Sequence, residues 1–148
     1  MANIDALAHI TQVVGELERE LLSNGADTHE CADLAAAIQI SRIKAAAGMT
    51  EARSIIEPIV RSIYQARIPG KDVKPLYNMI EELTDGAKVF PSSIGTRLHA
   101  VRVIGNSSVH VLEMPQEDDL CFVLEIAAAV IRWYRLTYLP NLEHRPVV

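Results

Sequence analysis

The segment from about Pro115 to Leu139 constrains the fold more than any other part of the chain. Its apolar residues occupy nearly every side of a helix at the 3.6-residue period. Acidic residues stand in its first turns and Arg132 and Arg135 near its end, an order that suits the helix dipole. We therefore predict that this helix lies at the centre of a bundle. Its apolar side chains are those of Leu120, Phe122, Val123, Leu124, Ile126, Val130, Ile131, Trp133, Tyr134 and Leu136.

The rest of the chain also carries apolar residues at helical spacing. We predict helices from about residue 4 to Asn24-Gly25, from about His29 to Ala47, from Thr50 to about Ala66, from Pro75 to Leu83, and from Pro91 to Val109. Gly48 should end the second helix and Thr50 should cap the third. Only Lys88-Val89-Phe90 has the composition of a strand.

These elements predict an all-α protein, a bundle of five to six helices. We divide the chain into an N-terminal helical extension, residues 1–49, which forms a hairpin, and a helical bundle, residues 50–148. No repeat or low-complexity tract separates the two parts, so we expect one compact unit.

Composition narrows the class of protein. The 148 residues carry a net charge of −5, and 49% are hydrophobic, which is typical of a globular domain. Two cysteines suit a reduced compartment better than a disulfide framework. No apolar run reaches the length of about 20 residues that spans a bilayer, and the first residues lack a signal peptide's basic start. We therefore expect a cytoplasmic protein that is not in the membrane.

The distribution of charge and the absence of common motifs limit the kinds of binding site that the chain can form. Residues 50–112 carry a net charge of +2, while the segments on either side are acidic, so only this middle part attracts phosphate. No glycine-rich phosphate loop is present, and neither Cys-x-x-Cys nor His-Glu-x-x-His spacing occurs. We predict neither a metal site nor a cofactor.

Arg102, Asn106 and His110 follow one another at four-residue intervals. On a helix they fall within an arc of about 80° and form one polar stripe. An imidazole transfers protons near neutral pH, a guanidinium binds phosphate through two hydrogen bonds, and an amide orients either group. The stripe therefore suits cleavage of an RNA phosphodiester without a metal. The alternative is that Asn106 caps a helix or turns the chain at Gly105, while Arg102 and His110 tie neighbouring helices together.

The stripe belongs to a longer pattern that resembles a bacterial domain of unknown function in the HEPN superfamily, a branch that also occurs fused to restriction-enzyme subunits. The likeness covers roughly residues 50–139. The residues that carry it are Arg102-x-x-Gly105-Asn106-x-x-x-His110, Ala52-Arg53-x-x-x-Glu57 and Leu76-x-x-Met79-Ile80-x-x-Leu83.

This resemblance implies a helical bundle that forms a homodimer and, in a bacterial defence or toxin–antitoxin system, binds or cleaves RNA as a metal-independent ribonuclease. Arg102 and His110 are then the candidate catalytic pair, and Asn106 is their polar neighbour. Seven residues separate Arg102 from His110, whereas the family's usual separation is four to six. Arg53 and Glu57 stand one helical turn apart and either form a surface ion pair or support the stripe.

A second hypothesis is a non-catalytic helical module that binds a partner protein, as part of a larger protein. Net acidity favours this module, because nucleic-acid affinity depends on phosphate neutralisation by Lys and Arg. The local basicity of residues 50–112 favours RNA.

Overall fold

The computed structural model describes residues 4–68, 70, 72, 74–109 and 117–143. Within these ranges the chain is helical and has no strand, which confirms the predicted all-α fold. The helices are α1 (Ile4–Ser23), α2 (His29–Ile43), α3 (Ala45–Arg67), α4 (Leu76–Glu81), α5 (Ser92–Val109), α6 (Glu117–Trp133) and α7 (Leu139–Glu143). A π-helical turn, Glu82–Gly86, extends α4, and another, Tyr134–Tyr138, joins α6 to α7. The described chain therefore forms six continuous helical segments.

Helix α6 lies at the centre of the bundle, as its apolar pattern predicts. It packs against α1, α2, α3 and α5. Its buried side chains are those of Leu120, Val123, Leu124, Ile126, Ala127, Ala128, Val130 and Ile131. The same core includes buried residues of α1 and α2, such as Leu21 and Leu34. The predicted boundary between residues 49 and 50 falls within α3.

The end of α1 follows the predicted chemistry. Gly25 has a φ of 69°, the left-handed conformation that favours glycine, and the amide of Ala26 donates to the carbonyl of Leu21. The chain therefore leaves α1 through a left-handed residue and turns into α2.

The predicted break at Gly48 is wrong. The chain bends at Lys44, which is extended, and Gly48 lies inside α3. A Cβ atom at Gly48 would stand only 1.9 Å from Oγ of Ser41 on α2, so glycine here allows two helices to approach closely. Thr50 is not a cap either, because its hydroxyl donates to the carbonyl of Ala46 within the helix.

The last helical segment continues past the predicted end at Leu139-Pro140. The amide of Leu139 donates to the carbonyl of Tyr134 in the π-helical register, and Pro140 then occupies the first turn of α7. Proline has no amide hydrogen, so Pro140 donates no hydrogen bond back into the π-helical turn. The predicted start at Pro115 lies outside the described residues.

The segment that resembles a strand forms none. Lys88 has a φ of 53°, and the amides of Val89 and Phe90 both donate to the carbonyl of Leu83. These bonds close the end of the π-helical turn after α4. No described helix is both long and apolar enough to cross a bilayer.

Candidate functional site

A groove with a volume of about 510 Å³ opens between α3, α4 and α5. We call it the basic groove, because four of its lining side chains are cationic and one is a carboxylate. Its lining residues are Arg53, Glu57, Arg61, Lys74, Pro75, Leu76, Tyr77, Met79 and Arg102. Its volume is within the range of small-molecule binding sites.

Helix α3 forms one wall of the basic groove. Arg53, Glu57 and Arg61 are spaced four residues apart and so share one face of the helix. Nη2 of Arg53 donates to Oε1 of Glu57 at 3.0 Å, and both side chains are partly buried. Arg61 is exposed and forms no ion pair with a described residue. Arg53 and Glu57 thus form an ion pair with each other and also line the groove. A supporting role toward the polar stripe stays a prediction.

Helix α5 brings Arg102 to the opposite wall. The guanidinium carbon of Arg102 lies 4.4 Å from the centroid of the Tyr77 ring, at the start of α4. This is the geometry of a cation–π contact. Arg102 forms no ion pair with a described carboxylate, so its charge is not neutralised by that part of the chain.

Lys74 is held at the edge of the basic groove by Glu82. Its Nζ atom lies 2.8 Å from Oε1 of Glu82, and the hydroxyl of the buried Tyr64 donates to Oε2 of the same carboxylate at 2.5 Å. The hydrogen bond to Glu82 raises the pKa of Lys74, and it also raises the pKa of the Tyr64 hydroxyl. Lys74 therefore stays protonated, and the π-helical turn is tied to α3.

Two donors in the basic groove have no hydrogen-bond partner among the described residues. They are the buried Nε atoms of Arg53 and Arg102. Folded proteins satisfy nearly all buried polar groups, and an unsatisfied donor on a charged group costs more than about 1–3 kcal/mol. The basic groove therefore contains two buried guanidinium donors that the described residues leave unsatisfied.

The groove brings together some of the residues predicted from the sequence. Arg53, Glu57 and Arg102 line it. Asn106 follows Arg102 by about one turn on α5, but its side chain lies outside the part of the chain that the structure describes. His110 lies outside the described residues altogether. The roles given to these residues in catalysis stay predictions.

Sequence reasoning missed three lining residues, Arg61, Lys74 and Tyr77. The four-residue spacing of Arg61 from Glu57 was available as a signal. Lys74 and Tyr77 belong to a turn and the start of a short helix, where periodicity gives no direction for a side chain. Their place in the groove follows from how α4 packs between α3 and α5.

The described residues include no group of three or more His, Cys, Asp or Glu side chains arranged to hold a metal ion. Cys31 is a buried free thiol, and Cys121 is partly buried. The residues that line the basic groove offer guanidinium, ammonium, carboxylate and phenol groups.

A family model described as Domain of unknown function (DUF4145) matches residues 35–145. The chain belongs to the DUF4145 family. The DUF4145 match begins within α2 and includes every residue that lines the basic groove. No curated protein and no solved structure matches the chain significantly.

Proposed function

We propose that the basic groove binds the phosphodiester backbone of RNA. The observation that carries this proposal is the charge of the groove. Four of its lining side chains are cationic, and Glu57 is the one carboxylate among the lining residues. The cations are Arg53, Arg61, Lys74 and Arg102. Even when Glu82, the partner of Lys74, is included, the groove has two more cations than carboxylates. The chain as a whole carries a charge of −5, so this is a local concentration of positive charge on an acidic protein.

The unpartnered donors also support an anionic ligand. Arg61 and Arg102 have no carboxylate partner among the described residues, and guanidinium groups bind phosphate through paired hydrogen bonds. A phosphate that enters the groove gives Arg102 the charged partner that it lacks.

Binding is tested by measuring the affinity for a short labelled single-stranded RNA by fluorescence anisotropy. Arg102→Gln should weaken binding about 10- to 100-fold, the loss of one charge-assisted contact. Arg42→Gln is the matched control, because Arg42 is exposed at the end of α2 and does not line the groove. Equal affinities of the two variants would contradict the proposal.

RNA cleavage is the second part of the proposal. As the resemblance to the HEPN superfamily implies, Arg102 would bind the scissile phosphate and His110 would transfer a proton in the cleavage step. Asn106 would orient these two side chains. We infer a role in a bacterial defence or toxin–antitoxin system on the same ground. An RNA cleavage assay in the presence of a chelator tests it: the wild type should cleave and His110→Ala should not, while still binding RNA. Wild-type protein that binds RNA and leaves it intact would limit the function to binding.

A second candidate function is self-association, and a homodimer is the form that we propose. Val103 on α5 and Phe122 on α6 are large apolar residues about half exposed, on two helices that pack together. We infer that these two side chains lie in the contact between two copies of the chain. Light scattering at high protein concentration should give the mass of a dimer, and Phe122→Lys should give a monomer. A wild-type monomer would contradict this.

A further inference from the structure

We propose that Tyr77 stacks on an unpaired base of the RNA, so that the basic groove selects single-stranded over double-stranded RNA. This inference rests on the proposed function, because it names the form of the RNA that the groove takes. It adds a contact to a base, whereas the arginines and Lys74 contact only phosphate.

The placement of Tyr77 leaves part of its ring available. Its ring centroid lies 4.4 Å from the guanidinium carbon of Arg102 and 5.5 Å from the centroid of the His99 ring, tilted by 55°. His99 and Arg102 are three residues apart on α5, and residues at that spacing share one face of a helix. Both contacts therefore reach Tyr77 from α5. The side chain is still 41% exposed, and it lines the groove.

An aromatic ring exposed beside several cations is the combination that single-stranded nucleic-acid sites use. Cationic side chains follow the backbone, and an aromatic side chain stacks on a base whose faces are free. In a duplex the neighbouring base pairs cover both faces of each internal base, so a ring has nothing to stack on. The cation of Arg102 holds the Tyr77 ring in a fixed orientation, which lowers the entropy lost on stacking.

The alternative is that Tyr77 serves only to position Arg102. The ring would then matter equally for every anion that enters the groove, with or without bases. Inorganic polyphosphate provides this comparison, since it presents a chain of phosphates and no base. The two readings predict different effects of the same substitution.

The experiment measures three affinities for the full chain: a labelled single-stranded oligouridine, the same strand annealed to its complement, and inorganic polyphosphate as a competitor. We expect the wild type to bind the single strand more tightly than the duplex. Tyr77→Leu should lower affinity for the single strand about 5- to 100-fold, the effect of losing one stacked base, and leave polyphosphate affinity within about twofold. Tyr77→Phe should bind like the wild type, because a phenyl ring also stacks.

Each other outcome overturns the inference. If Tyr77→Leu binds the single strand as the wild type does, stacking is absent while phosphate binding stands. If the variant loses single strand and polyphosphate equally, the ring acts through the shape of the groove. Retained polyphosphate binding also shows that the variant is folded. Wild-type protein that binds neither RNA nor polyphosphate would overturn the proposed function itself.

Discussion

Nη2 of Arg135 lies 2.5 Å from Oε2 of Glu30, and Nε of Arg135 donates to Oε1 of the same carboxylate at 2.7 Å. The two residues are 105 positions apart, and this bidentate pair ties the start of α2 to the π-helical turn after α6. Both side chains are largely buried, at 16% and 6% exposed. The bond to Glu30 raises the pKa of Arg135, so the guanidinium stays charged.

This pair predicts a large stability effect. Arg135→Ala should lower the free energy of unfolding by up to about 3–5 kcal/mol, because the buried Glu30 then keeps no described partner except His29, whose Nε2 lies 2.8 Å from Oε2 of Glu30. Arg132, three residues earlier, pairs with Glu20 where both side chains are more exposed. Arg132→Ala should therefore cost about 1 kcal/mol or less. Urea denaturation followed by circular dichroism measures both, and similar losses would contradict the distinction.

Gly48 gives a second prediction, on the contact between α2 and α3. A methyl group there would overlap Ser41, whose Cα atom lies 3.0 Å from the added Cβ, so Gly48→Ala should destabilise by at least about 1–3 kcal/mol. Gly15 is the control, since an added Cβ meets nothing closer than 3.7 Å and alanine favours a helix. Gly15→Ala should raise the free energy of unfolding by about 0.5–1 kcal/mol. A gain in stability from both substitutions would show that α2 and α3 are not closely packed.

Cys31 gives a prediction about pH. Burial raises the pKa of its thiol to about 11, from an ordinary value of 9.0. The folded protein therefore holds this proton more tightly than the unfolded chain, so the thiol's contribution to stability is complete below pH 9 and is lost as the pH rises from 9 towards 11.

The burial that raises this pKa is tested with a thiol reagent in the Cys121→Ser variant. At about pH 8 the buried thiol of the native protein should react far more slowly than the same thiol in urea, because both access and the thiolate fraction are reduced. Equal rates in native and unfolded protein would contradict the burial of Cys31.

The sequence predicts well those features that short segments determine. The apolar pattern of α6 and the left-handed Gly25 follow from periodicity and from glycine's conformational freedom. Gly48 was misread because glycine commonly ends a helix, and only the position of Ser41 on the neighbouring helix reveals that its small size is what matters here. The sequence also does not predict that the last helical segment continues, because a π-helical turn precedes Pro140 and the proline then lies in α7.

The residues of the candidate site also differ in whether the sequence alone predicts them. Arg102 could be named from its four-residue spacing to Asn106 and His110, and Arg53 and Glu57 could be named from the resemblance to a known family. Tyr77 could not, because its contact with Arg102 depends on how two helices pack across the groove. Periodicity assigns a residue to a face of its own helix, but it does not say which face of another helix lies opposite.

Phosphate binding in the basic groove should make RNA binding depend on salt concentration. The slope of log Kd against log salt concentration reports how many phosphate contacts the protein makes. We predict a clear slope for the wild type and a slope smaller by about one for Arg102→Gln, with Arg42→Gln unchanged. Binding without salt dependence, or the same slope in Arg102→Gln as in the wild type, would show that the basic groove does not bind the RNA phosphates.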